Sequence, residues 1–169
     1  MDSSTARNDI GEVLVDFSLS SETGNERVAL ARVAEAVDDR HLSPARLEAL
    51  KTAVAEATMN AIEHGNGNRP ELPVLVRVTA LPTSLTVAIT DQGGVAAAAA
   101  AQSPVVPDLE AKLAGLQSPR GWGLFLIRNM VDEMAVLTEG SDHTVLLTMN
   151  ITEGLGQPGG AEDPDAEHV

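Results

Sequence analysis

The sequence predicts a single α+β domain folded as a two-layer sandwich, one mixed and mostly antiparallel sheet covered on one face by helices. Three observations carry that reading. Segments with a two-residue apolar period and segments with a helical period follow one another in the order strand, two helices, two strands, a long irregular stretch, helix, two strands. The 169 residues suffice for one domain with a hydrophobic core. That core must be aliphatic, because apolar residues make up 43% of the chain but aromatic ones only 2%.

The first ten residues, "MDSSTARNDI", are polar and read as a flexible N-terminus ahead of a domain spanning 11–151. "EVLVDFSL" (12–19) alternates apolar and polar positions in its second half, as a strand does. In "ETGNERVALARVAEAVDD" (22–39), Val28, Leu30, Ala31, Val33, Ala34 and Val37 supply the apolar face of a helix. The next helix opens on Ser43, a natural N-cap, with Pro44 at the first helical position. It runs through Leu47, Leu50, Val54, Ala57, Ala61 and Ile62 and stops at Gly65-Asn66-Gly67. Strands at 72–81 and 84–91, joined around Pro82-Thr83, are close enough to form an antiparallel hairpin.

Residues 92–119 hold glycines, an alanine run, prolines and one short candidate helix, "DLEAKLAGL" (108–116). A connection this long inside a compact domain is a functional lid or a disordered insert. A helix over 121–133 follows, entered through two closely spaced glycines, and "MAVLTEG" and "HTVLLTMNI" read as a second hairpin. The tail 152–169 is rich in acids, Gly and Pro without Lys or Arg, and reads as disordered.

The formal charge of −14 argues against nucleic-acid binding, which needs a basic surface, and against docking on an anionic membrane. The absence of cysteine excludes disulfides and thiolate metal sites. No signal-peptide pattern and no membrane-spanning apolar run is visible, so the expected location is cytoplasmic.

Three clusters are candidates for chemistry. Glu56 and Asn60 lie four residues apart on one helix and project from the same face. A neutral carbonyl oxygen on Asn60 suits Mg²⁺, and Glu56 one turn earlier is placed to take a proton. The same pair equally suits a solvated helix face. "TDQGG" (90–94) ends a strand in a carboxylate followed by glycine, which admits close approach of a ligand such as adenine; it is also ordinary turn chemistry. "RGWGLFLIRNM" (120–130) brings Arg120, Gly121 and Gly123 to a helix start, where anions are favoured, although a glycine pair also permits close packing.

In this order and spacing the three clusters resemble the GHKL ATPase superfamily. "EATMNAIEHG" is similar to its N box, "DQGG" to its first glycine box and "RGWGLFLI" to its second. Within it, Asn60-Ala61-Ile62-Glu63-His64 and "GLFLIRNMVDEM" resemble the bacterial anti-sigma-factor serine/threonine kinases of partner-switching systems, over about residues 12–151.

The resemblance implies the Bergerat ATP-binding fold, with ATP and Mg²⁺ as cofactors and 92–119 as an ATP lid. It makes Glu56 the general base, Asn60 the Mg²⁺ ligand, Asp91 the reader of the adenine amine and Gly93 the point of close approach. Gly121 and Gly123 meet the phosphates with Arg120 beside them, and Thr144 supports Asp91. His64 and Leu124 are carried along as cofactor-binding positions. The sequence departs from the pattern at Val95, where many relatives have glycine, and in the alanine-rich lid.

The implied partners are a sigma factor or other regulatory protein and an anti-sigma antagonist of the STAS type, which the kinase phosphorylates. A homodimer through the sheet edge near residues 12–19 is implied by analogy. The alternative is a non-catalytic nucleotide-binding module that sequesters a regulatory protein.

Overall fold

A computed structural model describes residues 11–93 and 119–151. Its elements are β1 (Glu12–Ser20), α1 (Asn25–Ala36), α2 (Pro44–Asn60) running into a π-helical turn (Ala61–Gly65), β2 (Pro73–Ala80), β3 (Ser84–Asp91), α3 (Pro119–Met130), β4 (Glu133–Glu139) and β5 (Asp142–Asn150). The expected N-terminal segment 1–10, the candidate helix 108–116, all of the lid but Gln92, Gly93 and Pro119, and the tail 152–169 lie outside the described residues.

The five strands order as β1-β2-β3-β5-β4. Every pairing is antiparallel, where the sequence reading allowed a mixed sheet. The connections explain this. Between β1 and β2 the chain makes two helical passes, which return it to the far end of the sheet. The α3 crossover does deliver β4 parallel to β3, but β5 folds back and inserts between them.

Burial follows the strand period. On β3 the residues Leu85, Val87, Ile89 and Asp91 are buried, as are His143, Val145, Leu147 and Met149 on β5 and Val74, Val76, Val78 and Ala80 on β2. These faces meet Leu50, Ala53, Val54 and Ala57 of α2 and Ala29 and Val33 of α1 in one aliphatic core. Each fully buried Val, Leu or Ile there contributes about 1.5–3 kcal/mol over leaving it in water. The helix face expected for α1 is rotated, since Ala29 is buried and Val28 is exposed. Among the described residues Phe17 is the one aromatic side chain of the core cluster, and the Arg32 guanidinium lies 3.9 Å over its ring.

Helix α2 is the spine of the helical layer, touching α1 on one side and α3 on the other. Its start is capped as the sequence anticipated: Ser43 Oγ accepts from the Arg46 N–H at 3.2 Å, with Pro44 next in line. Its end widens into the π-turn, where the Asn66 N–H reaches back to the Ala61 carbonyl at 2.8 Å. Such turns recur at functional sites. Among the described residues no helix is long and apolar enough to cross a membrane.

Asp132, just before β4, ties these layers together. Its carboxylate accepts from the Asn150 N–H at 2.6 Å and from the Arg46 guanidinium, which also donates to the Asn150 carbonyl at 2.9 Å. Burial by itself would raise the Asp132 carboxyl. The Asn150 N–H, the hydrogen bond from Arg46 and the guanidinium charge outweigh it and hold the group below the ordinary aspartate value. A carboxyl lowered in the folded state stabilises the fold above its unfolded value and loses that contribution as pH falls through its folded value. Asp132→Ala is therefore expected to lower the thermal midpoint at pH 7, by the equivalent of about 1 kcal/mol. In melts taken at successively lower pH the difference from the parent chain should shrink once the pH falls below the ordinary aspartate value.

Candidate nucleotide site

Glu56 and Asn60 stand half-buried on successive turns at the C-terminal half of α2. Helix α3 is laid against them. A Cβ built on Gly123 would sit 3.2 Å from Asn60 Nδ2, 3.4 Å from Asn60 Oδ1 and 3.4 Å from Glu56 Oε2. Residues some sixty positions apart in the chain are thus brought to one spot, and an added Cβ would crowd the Asn60 amide by a few tenths of an ångström.

The expected helix entry is corrected in detail. Pro119 takes an early position, as proline does at helix starts, so α3 begins two residues before Gly121. Gly121 falls in the first turn, where N–H groups lack a carbonyl four residues back, whereas Gly123 lies a turn further in. Gly123 therefore acts through its missing side chain. The side chains of Arg120 and Trp122 lie outside the described part of the helix. Leu124 packs against the hydrophobic core, and His64 is exposed in the last part of the π-turn.

Asp91 closes the second half of the site. As the last odd-numbered residue of β3 it points to the helical layer and is 3% exposed. Its Oδ1 accepts from the Gly93 N–H at 2.8 Å, and its Oδ2 lies 3.0 Å from His143 Nδ1. Gly65 of the π-turn presses on it from behind, since a Cβ there would fall 2.2 Å from Asp91 Cγ. Gly93 in turn packs on Gly65, whose carbonyl oxygen would be 2.6 Å from an added Cβ.

Thr144 does not support Asp91. The β3–β5 register sets Asp91 opposite His143 and Thr90 opposite Thr144. Side chains alternate along a strand, so Thr144 faces the other side of the sheet, where its Oγ1 lies 2.8 Å from Thr90 Oγ1. Sequence reasoning also missed Asn66, read there only as part of a helix stop. Its side chain is fully buried, and Nδ2 donates to Ser21 Oγ at 2.9 Å and to the Leu72 and Pro73 carbonyls at 3.1 and 3.2 Å. Its Oδ1 accepts from the Gln92 N–H at 2.8 Å. The signal available was an Asn in a Gly-x-Gly break directly after a helical Glu-x-x-x-Asn.

The residues fit a polar ligand. Asn60 Nδ2 is buried without a hydrogen-bond partner, an expense that a ligand group meeting the amide would remove. The glycines at 65, 93 and 123 keep side chains out of the way of Asp91, Glu56 and Asn60. Among the described residues no group of three or more His, Cys, Asp or Glu could cage a metal. A metal ion here would be held as Mg²⁺ often is, by few protein oxygens together with waters and phosphate.

Comparison with known proteins adds four findings. A family model described as a histidine kinase-like ATPase domain matches residues 19–150. The chain is 32% identical over 147 residues to an anti-sigma F factor of Geobacillus sp. (strain WCH70), covering 84% of this chain and 94% of that one. It is 30% identical over 129 residues to an anti-sigma F factor of Oceanobacillus iheyensis, covering 73% and 83% respectively. Among solved structures, the RsbU and RsbW domains of Rv1364c from Mycobacterium tuberculosis align with a TM-score of 0.56 at 16% identity. That alignment covers 80% of this chain but only 31% of the other, and it speaks to the fold alone.

Two substitutions test the packing of the site. Gly65→Ala should push the Asp91 carboxylate off its two donors while leaving the aliphatic core folded, which hydrogen–deuterium exchange would register as faster exchange at Gly93 with the sheet centre unchanged. Asn66→Ala removes four hydrogen bonds and leaves the Gln92 N–H without its partner. It should cost about 2–3 kcal/mol in denaturant titrations.

Proposed function

The chain belongs to the histidine kinase-like ATPase domain family, and we propose that within it this protein is an ATP-dependent serine/threonine protein kinase acting as an anti-sigma factor. In this reading it holds a sigma factor or comparable regulator in a partner-switching system and phosphorylates an antagonist of the STAS type. One observation carries the proposal. Glu56 and Asn60 of α2 meet Gly123 of α3, while Gly65 and Gly93 close around the buried Asp91, so the three sequence motifs converge on one site. The similarity to proteins named anti-sigma F factor supports the choice of branch.

The roles follow from the groups present. Asp91, holding hydrogen bonds from Gly93 and His143, is an acceptor aimed at the exocyclic amine of adenine. Gly121 in the first turn of α3 offers backbone N–H to phosphate oxygens, with Arg120 beside it in sequence. Asn60 would hold Mg²⁺ through its side-chain oxygen; the ion supplies charge neutralisation on the phosphates. Glu56, one turn away, is the base that takes the proton of the attacking serine or threonine hydroxyl.

In phosphoryl transfer the protein chiefly positions groups and balances charge, and this is a sufficient set for that. We place the protein in the cytoplasm and propose a homodimer through β1, a sheet edge on which Val13 is 53% exposed.

The test is calorimetric titration with ATP, with and without magnesium, followed by labelled-phosphate transfer to the STAS partner. Magnesium-dependent binding and transfer are expected. Glu56→Gln should leave ATP affinity within about twofold while lowering transfer by 10²-fold or more. Asn60→Ala should abolish the effect of magnesium on affinity. Binding without transfer in the parent protein would favour the non-catalytic sequestering module instead.

A further inference from the structure

We propose that His143 is a positioning residue that sets which purine the site accepts, by holding the Asp91 carboxylate as an acceptor turned towards a ligand amine. The inference rests on the nucleotide reading above and adds to it a residue none of the three motifs contains.

The β3–β5 ladder places His143 directly across from Asp91, on the same side of the sheet. Both side chains are nearly fully buried, at 4% and 3% exposure. The ring meets Asp91 through Nδ1, at 3.0 Å from Oδ2. The other carboxylate oxygen already accepts from the Gly93 N–H at 2.8 Å. Gly65 leaves no slack behind the group, with an added Cβ only 2.5–2.6 Å from both oxygens. Three contacts therefore determine the plane of one carboxylate, and His143 is the only one of them made by a side-chain donor.

With both oxygens accepting, Nδ1 is assigned as a donor to Asp91 Oδ2, and Nε2 is the ring nitrogen left over. That Nε2 is buried and has no partner among the described residues. A residue kept at position 143 for packing alone would not carry such a cost, because Val or Leu would fill the space with no polar atom to satisfy. The cost is offset by what Nδ1 does for Asp91. An ionised carboxylate only accepts hydrogen bonds, so a purine bearing a 6-amino group can pair with it. A 6-oxo purine presents a second acceptor to the same oxygen and is turned away.

Two variants separate positioning from packing. The amide nitrogen of His143→Asn falls near the place of Nδ1, whereas that of His143→Gln falls near Nε2, and both are polar and of similar bulk. Affinities for ATP and for inosine triphosphate, which differ in the 6-amino or 6-oxo group and the N1 proton that goes with the latter, are measured by calorimetry on the parent chain and both variants, together with thermal midpoints.

The parent chain is expected to prefer ATP at least tenfold. His143→Asn should keep that preference within about twofold, and His143→Gln should lose at least fivefold of it through weaker ATP binding. Equal preference in the two variants, with affinities that merely follow the thermal midpoints, would overturn the proposal and leave the nucleotide reading standing. Failure of the parent chain to bind ATP would overturn both.

Discussion

The buried side chain of Asn66 is the interaction on which the arrangement of the site depends. It ties the helical layer to three neighbouring strand ends: Ser21 after β1, the Leu72–Pro73 carbonyls leading into β2, and the Gln92 N–H after β3. Asn66 is itself held by the π-turn that ends α2, through its N–H on the Ala61 carbonyl. The helix bearing Glu56 and Asn60 is therefore locked in register with the strand end bearing Asp91 and Gly93. An ordinary α-helical ending would carry the chain past this point at a different angle. The wider turn is what lets one amide serve all three strand ends at once.

Glycine then decides how near the parts can come. At Gly65 and Gly93 the packed neighbours are a carboxylate already held by two donors and a backbone carbonyl, and neither can yield. At Gly123 the neighbours are the ends of Asn60 and Glu56, 3.2–3.4 Å from an added Cβ. The first pair of contacts, at 2.2–2.9 Å to a held carboxylate and to backbone, is much tighter than the second, so the two halves of the site differ in how far they can give. The rigid half is where a base would be read; the more adjustable half is where reacting groups would have to move.

Much of this was legible in the sequence because its signals were local. The strand 84–91, the Ser43–Pro44 helix start and the pairing of Glu56 with Asn60 on one face each follow from residues within a few positions of one another. The order of elements and the aliphatic core followed from periodicity and composition, and the resemblance of the three motifs named the family that the match over residues 19–150 establishes. What escaped depends on pairing between distant segments. Whether His143 or Thr144 faces Asp91 is a matter of strand register, and a slip of one residue exchanges the faces. The buried role of Asn66 is invisible until four segments are brought together. The start of α3 was misplaced because glycines were weighed above Pro119, which is the stronger sign of a first turn.

Unpaired buried polar atoms mark the same part of the molecule independently of any motif. Among the described residues five side-chain nitrogen or oxygen atoms are buried without a hydrogen-bond partner. Two belong to Arg40 and Arg46, each of which is bonded through Nη2, and Arg40 Nε also lies 3.2 Å from Asp39 Oδ1 as an ion pair. The remaining three are Thr58 Oγ1, Asn60 Nδ2 and His143 Nε2. Each such atom costs about 1–3 kcal/mol relative to a satisfied or apolar replacement. All three lie on α2 and β5, the elements that carry or support Asn60 and Asp91, while the strand and helix faces elsewhere in the core are aliphatic. A chain shaped for stability alone would spread such costs evenly or remove them. Two of the three fall beside the glycines, Asn60 against Gly123 and His143 on the Asp91 carboxylate that Gly65 and Gly93 enclose, as on a surface held ready for something outside the chain.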